Sequence, residues 1–130
     1  MTDDLVEAAR RARDRASARY SGFAVGAALR ATDGRIFAGC NVESASYGLT
    51  MCAERVALFK ALSEGAREFD RLAVVTDAAS ATSPCGACRQ LLWEYCGDIE
   101  IVSANLTSIT ATRQLTALYP DPFDEDSLAR

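Results

Sequence analysis

The chain has 130 residues, 49% of them hydrophobic and 25% charged, with a formal net charge of -4. That length suits one globular domain, 1–130, with a core that needs no disulfide staples, and the acidic balance opposes a nucleic-acid partner. Histidine is absent and Lys60 is the only lysine, so no Ser-His-Asp or Cys-His machinery and no imidazole ligand can be built.

In chain order, Thr2 to Arg19 reads as a helix. Thr2 or Asp3 can cap it, and Leu5, Val6, Ala9, Ala12 and Ala16 form a helical stripe. The arginines interleaved with it (Arg10, Arg11, Arg13, Arg15 and Arg19) read as a solvated face or a subunit contact. Residues Ala24 to Arg30 and Ile36 to Cys40 are predicted strands, joined across the turn signal Thr32-Asp33-Gly34-Arg35. Asn41 to Thr50 is small and polar, a loop. Cys52 to Glu64 is a predicted helix closed by Gly65, and Arg71 to Thr76 a buried strand. A small-residue loop, Asp77 to Ser83, leads to a helix over Gly86 to Tyr95. A strand over Ile99 to Ser103 follows, with an antiparallel partner near Thr107 to Thr110. Thr112 is expected to cap a short last helix that stops before Pro120, and the tail beyond Phe123 is acidic. This order predicts an α/β fold, a three-layer α-β-α sandwich around a mixed five-stranded sheet.

No apolar leader is visible near the N-terminus and no stretch approaches a membrane span, so a cytoplasmic protein without a membrane partner is expected. Five cysteines in such a chain point to metal or reactive thiols rather than disulfides. Pro84-Cys85-Gly86-Ala87-Cys88 places two sulfurs on one side of a helix's first turn, which suits one tetrahedral metal, while the positive helix end favours thiolates. Alone, this pair would equally suit a redox dithiol or half of a structural zinc site. Cys52-Ala53-Glu54 changes the balance by adding a third thiol and a carboxylate two residues on. Three thiolates, Cys52, Cys85 and Cys88, leave one zinc position open for water, as catalytic sites do. Glu54 lies near such a metal without having to bind it, and can carry a proton from water to a substrate nitrogen. The combined pattern is the signature of zinc deaminases with cysteine as first ligand.

The sequence also resembles a family, the small homotetrameric zinc-dependent cytidine deaminases. The likeness is densest in Gly39-Cys40-Asn41-Val42-Glu43, in Ala45 to Arg55 and in Ser83 to Gln90, and includes Tyr20 to Ala27. It implies one Zn2+ per subunit on Cys52, Cys85 and Cys88, with Glu54 as the catalytic proton shuttle. It further implies that Asn41 and Glu43 hold the ribose hydroxyls and that Phe23 packs on the nucleoside. The backbone N–H of Ala53 would meet the pyrimidine carbonyl, and the carbonyl of Ser83 the leaving amino group. Tyr47 and Phe123 would complete a neighbouring subunit's pocket. From the residues alone, Asn41 reads as a turn residue, Glu43 as a surface charge and Phe23 as core. Arg55 is expected to touch a ligand sulfur and offset the negative charge of three thiolates. Cys40 and Cys96 are expected to be buried thiols outside the metal site.

The activity so implied is hydrolytic deamination of cytidine and deoxycytidine in pyrimidine salvage. A sister activity on an aminonucleoside antibiotic such as blasticidin S is the nearest alternative. A noncatalytic zinc domain with a fourth protein ligand and a dithiol oxidoreductase on Cys85 and Cys88 are more distant ones.

Overall fold

The computed structural model describes residues 3–128. Helix α1 (Asp4–Arg13) is followed by strands β1 (Gly26–Ala31) and β2 (Ile36–Cys40), then helix α2 (Ala53–Ser63) and strand β3 (Phe69–Val75). Helix α3 (Gly86–Cys96), strands β4 (Glu100–Ala104) and β5 (Ile109–Gln114) and a short helix α4 (Leu115–Leu118) complete the layers. The sheet runs β2-β1-β3-β4-β5. Only β3 and β4 are parallel, with Leu72 opposite Ile101 and Val74 opposite Ser103; the other neighbours are antiparallel.

Period-two alternation divides the sheet between two cores. Leu29, Leu72, Val74 and Ile101 point to the side covered by α2 and α3, where Ala57, Leu58, Ala61 and Leu92 meet them. Ala28, Ala73, Val75, Val102 and Ala104 point to the opposite side, under Leu5, Val6, Ala8 and Ala9 of α1. The result is the three-layer α-β-α sandwich around a mixed five-stranded sheet. Among the described residues, no helix is long and apolar enough to cross a membrane.

Two glycines let the helices approach the sheet from opposite sides. A Cβ on Gly26 would lie 2.0 Å from the Ala9 carbonyl oxygen of α1, and one on Gly39 would lie 2.7 Å from the Ala57 nitrogen of α2. The Gly39 contact sets the height of the α2 backbone one turn beyond Cys52. Gly39→Ala must therefore lift α2, with an expected loss of roughly 1–3 kcal/mol from overpacking. Chemical denaturation of the zinc-loaded variant measures this, and an unchanged midpoint would show that α2 shifts freely.

Two local expectations are corrected, the end of α1 and the cap of α4, and one open choice is resolved. Helix α1 stops at Arg13 rather than Arg19, because Ser17 is drawn into a tertiary bridge. Its N–H donates to the Asn41 carbonyl (2.9 Å) and its carbonyl accepts from the Glu43 N–H (2.9 Å). Asp3 caps α1 by accepting from the Leu5 and Val6 N–H groups (both 3.1 Å), while Thr2 lies outside the described residues. Thr112 caps no helix, since it lies within β5 opposite Val102. The start of α4 is served instead by the Asp98 carboxylate, which accepts from the Thr116 N–H (2.9 Å) and hydroxyl (3.1 Å).

Candidate active site

Helices α2 and α3 begin side by side, and each carries a cysteine at the position just before its first turn, Cys52 and Cys85. Cys88 follows in the first turn of α3 and is fully buried. The Sγ atoms of Cys52 and Cys85 are 3.8 Å apart, those of Cys85 and Cys88 are 3.4 Å apart, and all three lie within 4.8 Å of one another. A tetrahedron with zinc–sulfur bonds of about 2.3 Å has sulfur–sulfur edges of about 3.8 Å, so the spacing fits one zinc ion. Among the described residues, no fourth cysteine, aspartate or glutamate joins the cluster. Three soft donors with one side free form the ligand set of an open rather than a closed zinc site.

Electrostatics point the same way. The Cys88 thiol, hydrogen-bonded to Cys52, and then the Arg55 guanidinium pull Cys52 down to about 5. Cys88 is pushed up, first by its bond to Cys52, then by burial and the charge of Glu54. Thus one thiolate forms readily and a second is opposed until a cation arrives, which is the charge pattern a dication would relieve. Arg55 Nη2 donates to Cys52 Sγ at 3.3 Å, while its buried Nε has no partner among the described residues. An Arg55→Gln substitution should weaken zinc binding about 10- to 100-fold. Competition against a chromophoric chelator reads this directly; unchanged affinity would reduce the arginine to a packing role.

Glu54, the second residue of α2, is only 5% exposed. Burial is the main cause that raises its carboxyl to about 7, and the nearby Cys52 thiolate adds to it. A carboxyl poised near neutrality can both accept and return a proton. Glu54 lines a cavity of about 200 Å3 together with Cys52 and Cys85. Phe23, Asn41, Ala53 and Ser83 share that wall, so these residues of the expected site converge in one place. Val25, Thr50, Val74 and Thr82 also line it and were not anticipated, because nothing in their local sequence marks them.

Glu43 and Tyr47 stand beside this cavity, in a second recess of about 310 Å3 whose wall shares Thr50 with the first. The Glu43 carboxylate accepts from the Tyr20 (2.9 Å) and Ser21 (3.0 Å) N–H groups and from the Ser21 hydroxyl. Those bonds hold its carboxyl below the ordinary range, with the Ser21 hydroxyl the largest influence. Asn41 bridges the entry loop. Its Oδ1 accepts from the Val25 N–H (2.9 Å) and its Nδ2 donates to the Phe23 carbonyl (2.8 Å). Phe123 is in neither wall; its carbonyl accepts from Gln90 on α3, and its side chain is exposed, as is Tyr47. A larger groove of about 470 Å3 at the β2 edge, lined by Arg11, Arg15, Cys40 and Lys60, contains no acid and lies apart from the thiol cluster. Cys96 is pushed up to about 12 by burial, and it packs against the α2–α3 core.

An open three-thiolate zinc site with a buried carboxyl beside it, at the starts of two helices on one face of a mixed sheet, defines a zinc-dependent hydrolytic deaminase. Comparison with known proteins narrows the class. Residues 1–104 match the model of the cytidine and deoxycytidylate deaminase zinc-binding region, and the chain belongs to that family. It is 44% identical over 128 residues to a cytidine deaminase of Sporosarcina psychrophila, covering 98% of this chain and 94% of the relative. It is 35% identical to a blasticidin-S deaminase of Bacillus cereus over 57% of this chain. Among solved structures, a cytidine deaminase from Burkholderia pseudomallei superposes with a TM-score of 0.88 at 48% identity, covering 95% of this chain and 100% of the other. Another from Mycobacterium tuberculosis gives 0.79 at 41%, covering 92% of this chain and 94% of the other.

Proposed function

We propose that this chain, acting over 1–130 as one catalytic domain, hydrolyses free cytidine and deoxycytidine to uridine and deoxyuridine and releases ammonia. The observation that carries this reading is that Glu54, buried and raised to about 7, lines the same cavity as two of the three clustered thiols. Cys52, Cys85 and Cys88 would hold the zinc, which when bound supplies the Lewis acidity that makes water a nucleophile near neutral pH.

The remaining work falls to the chain. Glu54 takes the proton that the attacking water gives up and delivers it to ring nitrogen N3, so that C4 accepts the oxygen. Glu54 then carries the second proton of that water to the departing amine, and the C4–N bond breaks as ammonia leaves. The Ala53 N–H, at the first turn of α2, meets the pyrimidine carbonyl. The Ser83 carbonyl faces the amino group, and Phe23 covers the nucleoside. Asn41 and Glu43 take the ribose hydroxyls with the acceptor capacity left after their bonds to the entry loop.

Two further elements belong to this reading. Tyr47 is 80% exposed and Phe123 54%, and both suit a role in a neighbouring copy's pocket within a homotetramer. Reduced thiols at the metal cluster suit a cytoplasmic setting.

The test is ultraviolet-monitored turnover of cytidine, deoxycytidine and blasticidin S by zinc-loaded protein. Uridine and ammonia from the first two support the proposal. Turnover of blasticidin S alone would shift the substrate to the antibiotic, and zinc bound without any turnover would overturn the reading.

A further inference from the structure

Two buried hydroxyls are left without a task by the chemistry above: Thr76, 1% exposed, and Ser103, 4% exposed. They sit at the C-terminal ends of the two parallel strands. Thr76 directly follows β3 and Ser103 lies in β4, and the Thr76 N–H donates to the Ala104 carbonyl at 3.1 Å. Both reach the same residue of the loop that leads to Cys85. The Ser103 hydroxyl donates to the Thr82 carbonyl at 2.8 Å, and the hydroxyls of Thr76 and Thr82 are 3.0 Å apart. Thr82 is thereby held at both its backbone and its side chain. It also lines the active-site cavity, next to Ser83.

We infer that Thr76, Thr82 and Ser103 form a buried positioning device that fixes the Thr82-Ser83-Pro84 backbone at the base-binding end of the cavity. Residues 77–84 contain no helix or strand, so the position of this segment depends on such tethers. Among the described residues, the Ser83 carbonyl accepts no backbone or side-chain hydrogen bond, so it is available to a bound molecule. Two flanking contacts secure the rest of the segment. Arg113 of β5 donates to the Ser83 hydroxyl (3.2 Å), and Arg89 Nε of α3 donates to the Pro84 carbonyl (2.7 Å). An apolar cluster at Thr76, Thr82 and Ser103 would fill the same space, but it could not fix the Thr82 carbonyl. The hydroxyls make the device directional. None of the three need touch the reacting atoms; they act through Ser83 and the approach to Cys85.

This inference rests on the deaminase reading for its kinetic consequence and on the structure alone for its metal consequence. The test uses Ser103→Ala, Ser103→Thr and the paired Thr76→Val/Thr82→Val variant. The paired change removes both hydroxyls while keeping β-branched shape, so neither hydroxyl is left facing an unpaired mate; the Ala78 N–H, which donates to Thr76 Oγ1 at 3.2 Å, also loses its acceptor, loosening the same segment. Each is compared with wild type in kcat, KM, zinc content, melting temperature and the visible spectrum after cobalt replaces zinc.

For Ser103→Ala and for the paired variant we expect kcat for cytidine about ten-fold lower, because small displacements at a reacting centre are costly. Zinc content should stay at that of wild type; the lost bonds lower the melting point modestly, while kcat per folded molecule remains about ten-fold down. The cobalt–thiolate bands should shift as the approach to Cys85 loosens, and Ser103→Thr should restore both readouts. Full kcat and an unchanged cobalt spectrum in both variants would overturn the inference. A lower melting point with kcat per folded molecule unchanged would do so too, since it reduces the hydroxyls to ordinary core packing. If wild type does not deaminate cytidine, the deaminase reading fails by itself. The cobalt spectra then decide the positioning role, shifted bands supporting it and unshifted bands refuting it.

Discussion

Glu54→Gln is expected to keep its zinc and to lose kcat/KM for cytidine by a factor on the order of 10⁴, the upper range for a positioned acid–base group. The side chain keeps its shape and its place in the first turn of α2, so the metal cluster is undisturbed. A glutamine cannot perform the proposed proton transfer from water to N3. The same substitution has an opposite effect on stability. In the zinc-free protein the Glu54 carboxyl titrates at about 7 when folded, against an ordinary 4.5. Between those values the folded state holds more protons than the unfolded state, so stability falls as pH rises through that window. The penalty is absent below about pH 4.5 and complete above about pH 7, where it reaches roughly 3 kcal/mol. Zinc-free Glu54→Gln should therefore be more stable than zinc-free wild type at pH 8 and equal to it at pH 4. Denaturation at the two pH values, with metal content and turnover measured alongside, checks both halves. Retained turnover would remove Glu54 from the mechanism, and equal stability at pH 8 would mean that its carboxylate is better solvated than its 5% exposure implies.

Cys88→Ser should be the most damaging ligand substitution, because Cys88 is fully buried and its sulfur is 3.4 Å from that of Cys85. A serine hydroxyl is a harder and far less acidic donor, so the variant is expected to purify with little zinc and with turnover reduced by more than about 10³-fold. Chelator-treated wild type should show the same loss and recover on adding zinc, whereas Cys88→Ser should not recover. The melting point tracks the metal as well. A ligand present at a thousand times its dissociation constant stabilises the folded state by about 4 kcal/mol, and the variant forgoes that gain. Full zinc content in Cys88→Ser would point to a different ligand set.

How much of this could be read from residues depended on whether the cause was local. The stripe of Leu5, Val6, Ala9 and Ala12 marked α1, and the glycine turn marked the β1–β2 hairpin, because neighbours in sequence make those contacts. The end of α1 was not legible. Its alanines and arginines favour helix as far as Arg19, yet Ser17 is claimed by Asn41 and Glu43 from across the chain. The cap on α4 was illegible for the same reason, since Asp98 supplies it from 18 residues away. In the site, the Cys52–Glu54 and Cys85–Cys88 spacings are properties of single helical turns and could be seen in advance. Thr82 and Ser103 come from separate elements and, with Thr76, meet only when the sheet forms, while Thr50 joins Thr82 in the cavity wall from a third part of the chain. Asn41 and Glu43 show a further limit. The family resemblance implies sugar contacts for both, but only the folded chain reveals how firmly they already clasp the segment from Tyr20 to Val25.

The proposed sulfur ligands also have a topological meaning. Cys52 and Cys85 are 33 positions apart, and the whole of β3, the centre of the sheet, lies on the chain between them. A metal spanning that interval closes a loop around the strand on which the sheet is built. Because the ion binds the assembled cluster and not the open chain, it closes that loop only in the folded state, and its binding free energy is added to the stability of everything the loop encloses. Amide exchange should register this. Protection in β3 and at the starts of α2 and α3 should rise together when zinc is added, as one cooperative unit, while the α1 amides respond only through the global equilibrium.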